Sequence, residues 1–324
     1  MLFHPPKNPV ELKVLHLNEA QKQRREDLME ATQGKAALKQ FKKVMAKKAK
    51  KALKSKNKKK DADNKSQVFV LDFDGDIKAT AVKHLREEIS TLISTANKGD
   101  EVIVRLESGG GLVHGYGLAA AQLARLKDAD LKLTVCVDKV AASGGYMMAC
   151  VADNIVAAPF AIIGSIGVVS QLPNFHKWLK NHDVDYEMFT AGDYKRTVTV
   201  FGENDAEDRA KYQEELEQTH ELFKHFVNTY RPALEVAKVA TGEHWYGEDA
   251  LKLNLIDSLQ TSDSYILECM ENSDVYALHS RQKPTLAEKL GLAQAAEATL
   301  SMAVDKLPDA LARFDLNSRL NILK

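Results

Sequence analysis

The sequence predicts an α/β domain built around a parallel sheet that helices cover on both faces. Apolar runs of four to eight residues alternate with segments of helical spacing, a pattern typical of strands buried in a parallel sheet. The clearest strands lie at residues 68–72, 102–107 and 131–137, and the clearest helices at 82–96 and 112–126. We therefore assign residues 67–280 to one domain.

The second half of this domain contains a long amphipathic helix, predicted over residues 205–230. Asn204 can cap its first turn, and Pro232 ends it. Its apolar stripe indicates packing against the core or, alternatively, a subunit contact. A strand is predicted before it, at residues 186–190.

The N-terminal residues 1–66 form a polar, Lys-rich arm that is predicted to be mostly helical. Residues 35–60 contain thirteen lysines and no acidic residue, although the whole chain carries equal numbers of basic and acidic residues. Repeated like charges cannot be buried, so this run is either a frayed helix or disordered. It is either a binding segment for an anionic membrane surface or a solvated linker. The neutral total charge does not favour nucleic acid as a partner. At the other end of the chain, residues 281–324 are predicted to form a helical tail.

Several classes of protein are not indicated. No run of about 20 apolar residues is present, and the N-terminus lacks the apolar region of a signal peptide, so this chain is predicted to be soluble or peripheral. Cys136, Cys150 and Cys269 form no C-x-x-C pair, which argues against a zinc site and a disulfide framework. The sequence predicts neither a metal nor another cofactor.

Three glycine-rich turns follow predicted strands. The first, at residues 107–111, nearly meets the dinucleotide pattern G-x-G-x-x-G, but His114 stands where the third glycine belongs. In the second, Ser143 precedes two glycines at a strand-to-helix turn, where free N–H groups favour developing negative charge. Ser143 is therefore either a nucleophile or a simple helix cap. The third turn contains Ser165.

A nucleophilic serine needs a base, and two candidates stay open from the residues alone. His114 lies near the first glycine turn, whereas Lys195 lies on a loop before the long helix. A lysine base must be neutral, a state that burial favours, and Ser165 could orient its amine. His220 and His225 are five residues apart and thus about 140° apart around a helix, which excludes a zinc-protease motif.

Taken together and in order, several stretches resemble the signal peptide peptidase (protease IV) family, and over most of the chain its SohB-like branch. The matching stretches are VLDFDGDI, VIVRLESGGGLVHGYGLA, VDKVAASGGYMMACVAD, APFAIIGSIGVV, AGDYKRT and ATGEHWYG. They extend over about residues 67–270. Gly109 is one departure, because the family usually has proline there.

The resemblance implies a ClpP/crotonase-like spiral of ββα units and assigns the site residues. Ser143 is then the nucleophile, Lys195 the general base and Ser165 the residue that orients the lysine. The backbone amides of Gly110 and Gly144 form the implied oxyanion hole.

The implied function is that of a serine endopeptidase with a Ser–Lys dyad, which hydrolyses signal-peptide remnants or membrane-derived peptides through an acyl-enzyme. The family also implies a homo-oligomeric ring. SohB-like proteins generally carry a transmembrane helix before the basic arm. The native full-length protein is therefore expected in the bacterial inner membrane, with this chain following a missing anchor; the side that the domain faces stays open. The alternatives are a crotonase-type acyl-CoA enzyme and a non-catalytic, membrane-associated scaffold.

Overall fold

The computed structural model describes residues 10–56, 66–192 and 194–282. Most of the described residues belong to one compact unit, Lys13–His279. The strands are β1 (Val10–His16), β2 (Gln67–Gly75), β3 (Glu101–Ser108), β4 (Lys132–Val137), β5 (Val140–Ala142), β6 (Asn154–Ala157), β7 (Ile162–Gly164), β8 (His244–Tyr246), β9 (Ser258–Leu259) and β10 (Asp274–Gln282). The helices are α1 (Leu17–Lys56), α2 (Val82–Thr95), α3 (Val113–Asp128), α4 (Gly144–Ala149), α5 (His176–Lys180), α6 (Ala206–Tyr230), α7 (Val236–Val239), α8 (Gly247–Lys252) and α9 (Ser262–Asn272).

The main sheet has the strand order β1-β10-β2-β3-β4-β6-β9, and the pairs from β10 to β9 are parallel. Neighbouring residues of a strand point to opposite faces. Val68 and Val70 of β2 are buried on the face that packs against Ile266 of α9. Leu71 and Phe73, which point the other way, are buried as well. The predicted parallel sheet with two covered faces is confirmed.

A short second layer of strands rises from the carboxyl end of the main sheet. β5 pairs in parallel with β3 and β7, and β7 pairs antiparallel with β8. The consecutive elements β4, β5 and α4 form a ββα unit, so the ββα arrangement expected from the resemblance is confirmed. The layer matters for function because β5 and β7 each end at a glycine-rich turn.

The arm is helical, but α1 bends back at Gly34, whose φ of 81° interrupts it. The Arg25 guanidinium lies 4.9 Å from the centre of the Phe41 ring, and Lys42 Nζ lies 2.9 Å from Glu26 Oε2. Because both pairs are nearly symmetric about Gly34, the two halves of α1 form an antiparallel hairpin. Residues 35–56 are therefore helical rather than disordered, and residues 57–65 lie outside the described part.

Two local predictions on either side of residue 200 are corrected. Asp205, not Asn204, caps α6: its carboxylate accepts the Asp208 N–H at 2.8 Å, and Asp208 accepts the Asp205 N–H at 3.1 Å. The Asn204 side chain instead hydrogen-bonds to Thr199. The strand predicted at residues 186–190 is wrong, because this segment pairs with no strand of the described chain and Phe189 is exposed.

Within the described residues, every helix is too short or too polar to cross a bilayer. The predicted C-terminal tail lies outside the described residues from position 283 onwards.

Candidate active site

A cleft of about 1010 Å³ opens where the three glycine-rich turns meet α6. Four of the predicted site residues line it together, namely Gly110, Ser143, Gly144 and Ser165. They come from the ends of β3, β5 and β7, which the parallel pairing of these strands brings to the same edge.

Ser143 joins β5 to α4 in a conformation that L-residues rarely adopt, with φ of 52° and ψ of −118°. Such strain persists only where the surroundings enforce it, and it is concentrated at functional sites. Its side chain accepts no capping hydrogen bond from α4, and a capping serine would have an extended backbone. The interpretation of Ser143 as a simple helix cap is therefore wrong.

The first and second turns touch through their glycines. A Cβ atom on Gly110 would lie 2.7 Å from the Gly144 nitrogen and 2.8 Å from Ser143 Cβ, and Gly110 also has a φ of 88°. A Cβ atom on Gly144 would lie 2.4 Å from the Tyr116 ring. Only glycine fits either position, so the close approach of these two turns has a steric cause.

The two amides proposed for the oxyanion hole differ in their hydrogen bonds. The Gly144 N–H belongs to the first turn of α4, where a helix leaves its amides without intrahelical acceptors. The Gly110 N–H donates to Ser108 Oγ at 3.1 Å. Ser108 Oγ in turn lies 2.6 Å from the Tyr116 hydroxyl, which donates to the Asp76 carbonyl at 2.7 Å. Gly110 is thus held by a buried relay rather than aimed freely into the cleft.

The third turn is tied directly to the second. The Ser143 N–H donates to the Gly164 carbonyl at 2.8 Å, and the Ser165 N–H donates to the Glu243 carbonyl at 2.6 Å. Ser165 has a φ of 51°, so it shares the unusual conformation of Ser143. The turn therefore presents Ser165 to the same cleft as the proposed nucleophile.

Helix α6 closes the cleft on one side with residues that the sequence did not assign to the site. Leu222, Phe223 and Phe226, from the apolar stripe that was predicted to pack against the core or a subunit, line the cleft together with Thr219 and His220. An apolar stripe gives no sign of whether it faces a core or a cleft. His114, the alternative base, is exposed on α3 and is not part of this lining.

Lys195 is the predicted site residue that the single chain does not bring to the cleft: it is exposed and does not line the cavity. The neighbouring Tyr194 ring lies 4.8 Å from Lys211 Nζ, near the start of α6. Residues 219–226 include the α6 residues that line the cleft. They lie about 12–22 Å further along the helix than Lys211, at 1.5 Å per residue.

Comparison with known proteins identifies the family. Residues 4–123 match the N-terminal part of Peptidase family S49, and residues 125–276 match Peptidase family S49 itself. A Haemophilus influenzae protein named "Probable protease SohB" is 57% identical over 240 residues, which cover 74% of this chain and 68% of the relative. The chain belongs to peptidase family S49. This membership confirms the predicted serine-type peptidase, and it favours that function over an acyl-CoA enzyme and a non-catalytic scaffold.

A second relative and a solved structure match a similar share of this chain. A protein of Buchnera aphidicola subsp. Acyrthosiphon pisum, also named "Probable protease SohB", is 58% identical over 209 residues. This match covers 64% of this chain and 62% of the relative. The S49 chain therefore spans about two thirds of these relatives. Among solved structures, a membrane-bound stomatin-specific protease, 1510-N, aligns with a TM-score of 0.44 and 14% identity over 70% of this chain and 96% of its own.

Proposed function

We propose that this S49 chain is a serine endopeptidase in which Ser143 is the nucleophile and Lys195 the general base. The observation that supports it most directly is the backbone of Ser143, which is held in a strained conformation beside the Gly144 amide while its side chain makes no cap. A serine positioned in this way can present its oxygen to a substrate carbonyl at the mouth of the cleft.

The proposed reaction is acyl transfer. Neutral Lys195 removes the proton from Ser143 Oγ as that oxygen forms a bond to the peptide carbonyl carbon. The amides of Gly144 and Gly110 then donate to the tetrahedral oxyanion, and one such donor typically contributes about 2.7–4 kcal/mol to transition-state stability. When the C–N bond breaks, the lysine returns the proton to the leaving amine. Water, deprotonated by the same lysine, releases the acyl group from Ser143.

Gly110 must share or exchange its present acceptor in this scheme. Its bond to Ser108 Oγ, at 3.1 Å, has a neutral acceptor, and a charged oxyanion would compete well for the same proton. Ser165 would hydrogen-bond to the neutral amine of Lys195 and orient it.

The dyad is complete only when Lys195 reaches the cleft and loses contact with water. Either its loop moves along α6, or a neighbouring chain of a homo-oligomer supplies the lysine. Both routes would bury the amine, which favours its neutral form. We also propose that the protein assembles into a homo-oligomeric ring.

The proposed substrates are signal-peptide remnants or membrane-derived peptides. The cleft supports this choice because Met147, Val168 and Phe223 form an apolar lining next to Ser143. Such a lining suits peptides with apolar or small side chains at the cleavage site.

We also propose that the basic half of the α1 hairpin binds anionic lipid and that the native full-length protein belongs to the bacterial inner membrane. Lys39 and Lys43 lie along one helical segment with Lys35 and Lys42, which pair with Glu30 and Glu26. Each basic residue near an anionic surface contributes about 1 kcal/mol. Co-sedimentation with vesicles that contain or lack phosphatidylserine would test this, and equal binding to both would contradict it.

The decisive experiment compares hydrolysis of an apolar peptide by the wild type, Ser143→Ala, Lys195→Ala and the control Lys180→Ala. We expect the first two variants to lose activity by at least about 10⁴-fold, and the control, an exposed lysine of α5, to keep it. The two inactive variants are then mixed under conditions that exchange subunits. Recovered activity would mean that the lysine acts across a subunit boundary, whereas an inactive mixture would place the movement within one chain. Full turnover by Lys195→Ala would contradict the proposed base.

A further inference from the structure

The turn at residues 164–167 contacts the backbone of Ser143 and contains Ser165, yet only its first residue belongs to a paired strand. β7 ends at Gly164. Its carbonyl accepts the Ser143 N–H, and the Ser165 N–H donates to Glu243. Gly164 and Ser165 both have positive φ, 104° and 51°. Glycine adopts such a φ without strain, whereas a serine does not. Two backbone hydrogen bonds therefore hold a turn that is intrinsically unfavourable at Ser165.

A third attachment comes from a side chain. His220 Nε2 lies 3.1 Å from the Ile166 carbonyl oxygen. A carbonyl can only accept, so Nε2 must carry the hydrogen. Ile166 is completely buried, and its carbonyl lies two residues past the end of β7, where no backbone N–H of the described residues donates to it. His220 thus satisfies a main-chain acceptor that the sheet no longer serves.

We infer that His220 is a positioning residue, which holds the 164–167 turn in the conformation that orients Ser143 and Ser165. The chain of contacts is short. His220 holds Ile166, the same turn carries Ser165, and its Gly164 carbonyl binds the nucleophile's own N–H. The catalytic consequence rests on the proposed function, whereas the effect on the turn does not.

This role differs from that of a general base. A histidine that donates from Nε2 to a carbonyl cannot also accept the Ser143 proton at that nitrogen. It also gives His220 and His225 separate roles, although both are histidines on α6. His225 is exposed and does not line the cleft, which makes it a matched control.

The test compares His220→Leu, His220→Gln and His225→Leu with the wild type in three measurements. These are kcat and KM for an apolar peptide, the rate of Ser143 labelling by a small fluorophosphonate, and amide hydrogen exchange at Ser143 and Ser165. In His220→Leu we expect kcat and labelling to fall by about tenfold or more, with KM within about twofold. The two amides should exchange about tenfold faster.

The Gln variant separates positioning from general loss of structure. Its amide can donate to the Ile166 carbonyl, so we expect it to restore kcat and exchange to within about threefold of the wild type. His225→Leu should match the wild type in all three measurements. If His220→Leu keeps wild-type kcat and slow exchange, or if Gln is as impaired as Leu, the inference is overturned.

Failure of the proposed function would look different. The wild type would then resist labelling at Ser143, and Ser143→Ala would lose no activity. Hydrogen exchange in the His220 variants would still report on the turn, because it requires no substrate. If His220→Leu does not fold, the Gln variant is the test. A role of His220 other than donating a hydrogen bond predicts that Gln does not restore kcat and exchange.

Discussion

Ser143 and Gly164 are joined by a hydrogen bond of 2.8 Å, from the amide of the proposed nucleophile to the carbonyl that precedes Ser165. The bond continues the parallel pairing of β5 with β7, in which Ala142 stands opposite Gly164. The hydrogen-bonded pairing of β5 with β7 therefore ends at two serines, Ser143 and Ser165, with φ of 52° and 51°. Pairing in the sheet holds both serines in their strained conformations, so the geometry of one turn is coupled to that of the other.

Gly110→Ala should damage the site directly. The new Cβ would lie 2.7 Å from the Gly144 nitrogen and 2.8 Å from Ser143 Cβ, at a backbone φ of 88°. The first two turns must then separate, and we expect peptide hydrolysis to fall by about 10²-fold or more. Steady-state kinetics would measure this, together with circular dichroism to verify the fold.

Gly109→Ala is the control for that variant. A Cβ atom at Gly109 would meet no atom within 4 Å, and its φ lies outside the left-handed region. Its activity and unfolding free energy should remain near the wild-type values, within about 0.5 kcal/mol for stability. Equal losses in the two variants would show that the close approach of Gly110 to Ser143 is not what matters.

The sequence predicted the parts of the site that depend on local chemistry. Strand ends followed by glycine indicated the three turns that contain Gly110, Ser143 and Ser165, and the family resemblance assigned these residues to one site. The structure brings the turns to the same edge because parallel strands end together. The position of Lys195 could not be predicted in this way. It lies on a long segment without regular pairing, where no periodicity specifies the path of the chain.

Two other features show the same limit. Asn204 and Asp205 are both good caps, and only the reciprocal bond with Asp208 selects Asp205. The hairpin of α1 was missed because a single glycine within a helical pattern is compatible with a continuous helix. Its bend at Gly34 depends on contacts between residues 16 positions apart, such as Glu26 with Lys42.

Tyr116→Phe should loosen the relay that holds Gly110. The substitution removes one hydroxyl, which is bonded both to Ser108 Oγ and to the Asp76 carbonyl. Burial raises the pKa of Tyr116, so its hydroxyl keeps the proton that it donates. We expect a loss of about 1–3 kcal/mol in the free energy of unfolding, measured by urea denaturation. Tyr194→Phe, at an exposed ring, should leave stability unchanged, and a neutral Tyr116→Phe would contradict the relay.

Gly34→Ala should open the α1 hairpin. Alanine meets no steric obstacle there, but the φ of 81° is unfavourable for any residue with a Cβ atom, by about 1–2 kcal/mol. A continuous helix would relieve this strain. The distance between spin labels at positions 23 and 43 should therefore increase relative to the same labels in the parent protein. An unchanged distance would mean that contacts such as Arg25 with Phe41 hold the hairpin without help from glycine.

Cys136 should make stability fall in alkaline solution. Burial raises the pKa of its thiol to about 12, with a further contribution from the charge of Asp138, whereas an unfolded cysteine has a pKa of about 8.5. Between these two values the unfolded chain has lost a proton that the folded chain retains. The unfolded state then binds fewer protons, so the free energy of unfolding decreases as pH rises.

The size of this effect follows from the width of the window. Each pH unit above about 8.5 removes about 1.4 kcal/mol, so the Cys136 thiol should account for a loss of about 2 kcal/mol by pH 10. Urea denaturation of the wild type and of Cys136→Val at pH 8 and pH 10 would isolate it, because Cys150 and Cys269 are present in both proteins. The valine variant should lose less stability over this interval. Equal losses in the two proteins would mean that water reaches this thiol in the folded chain.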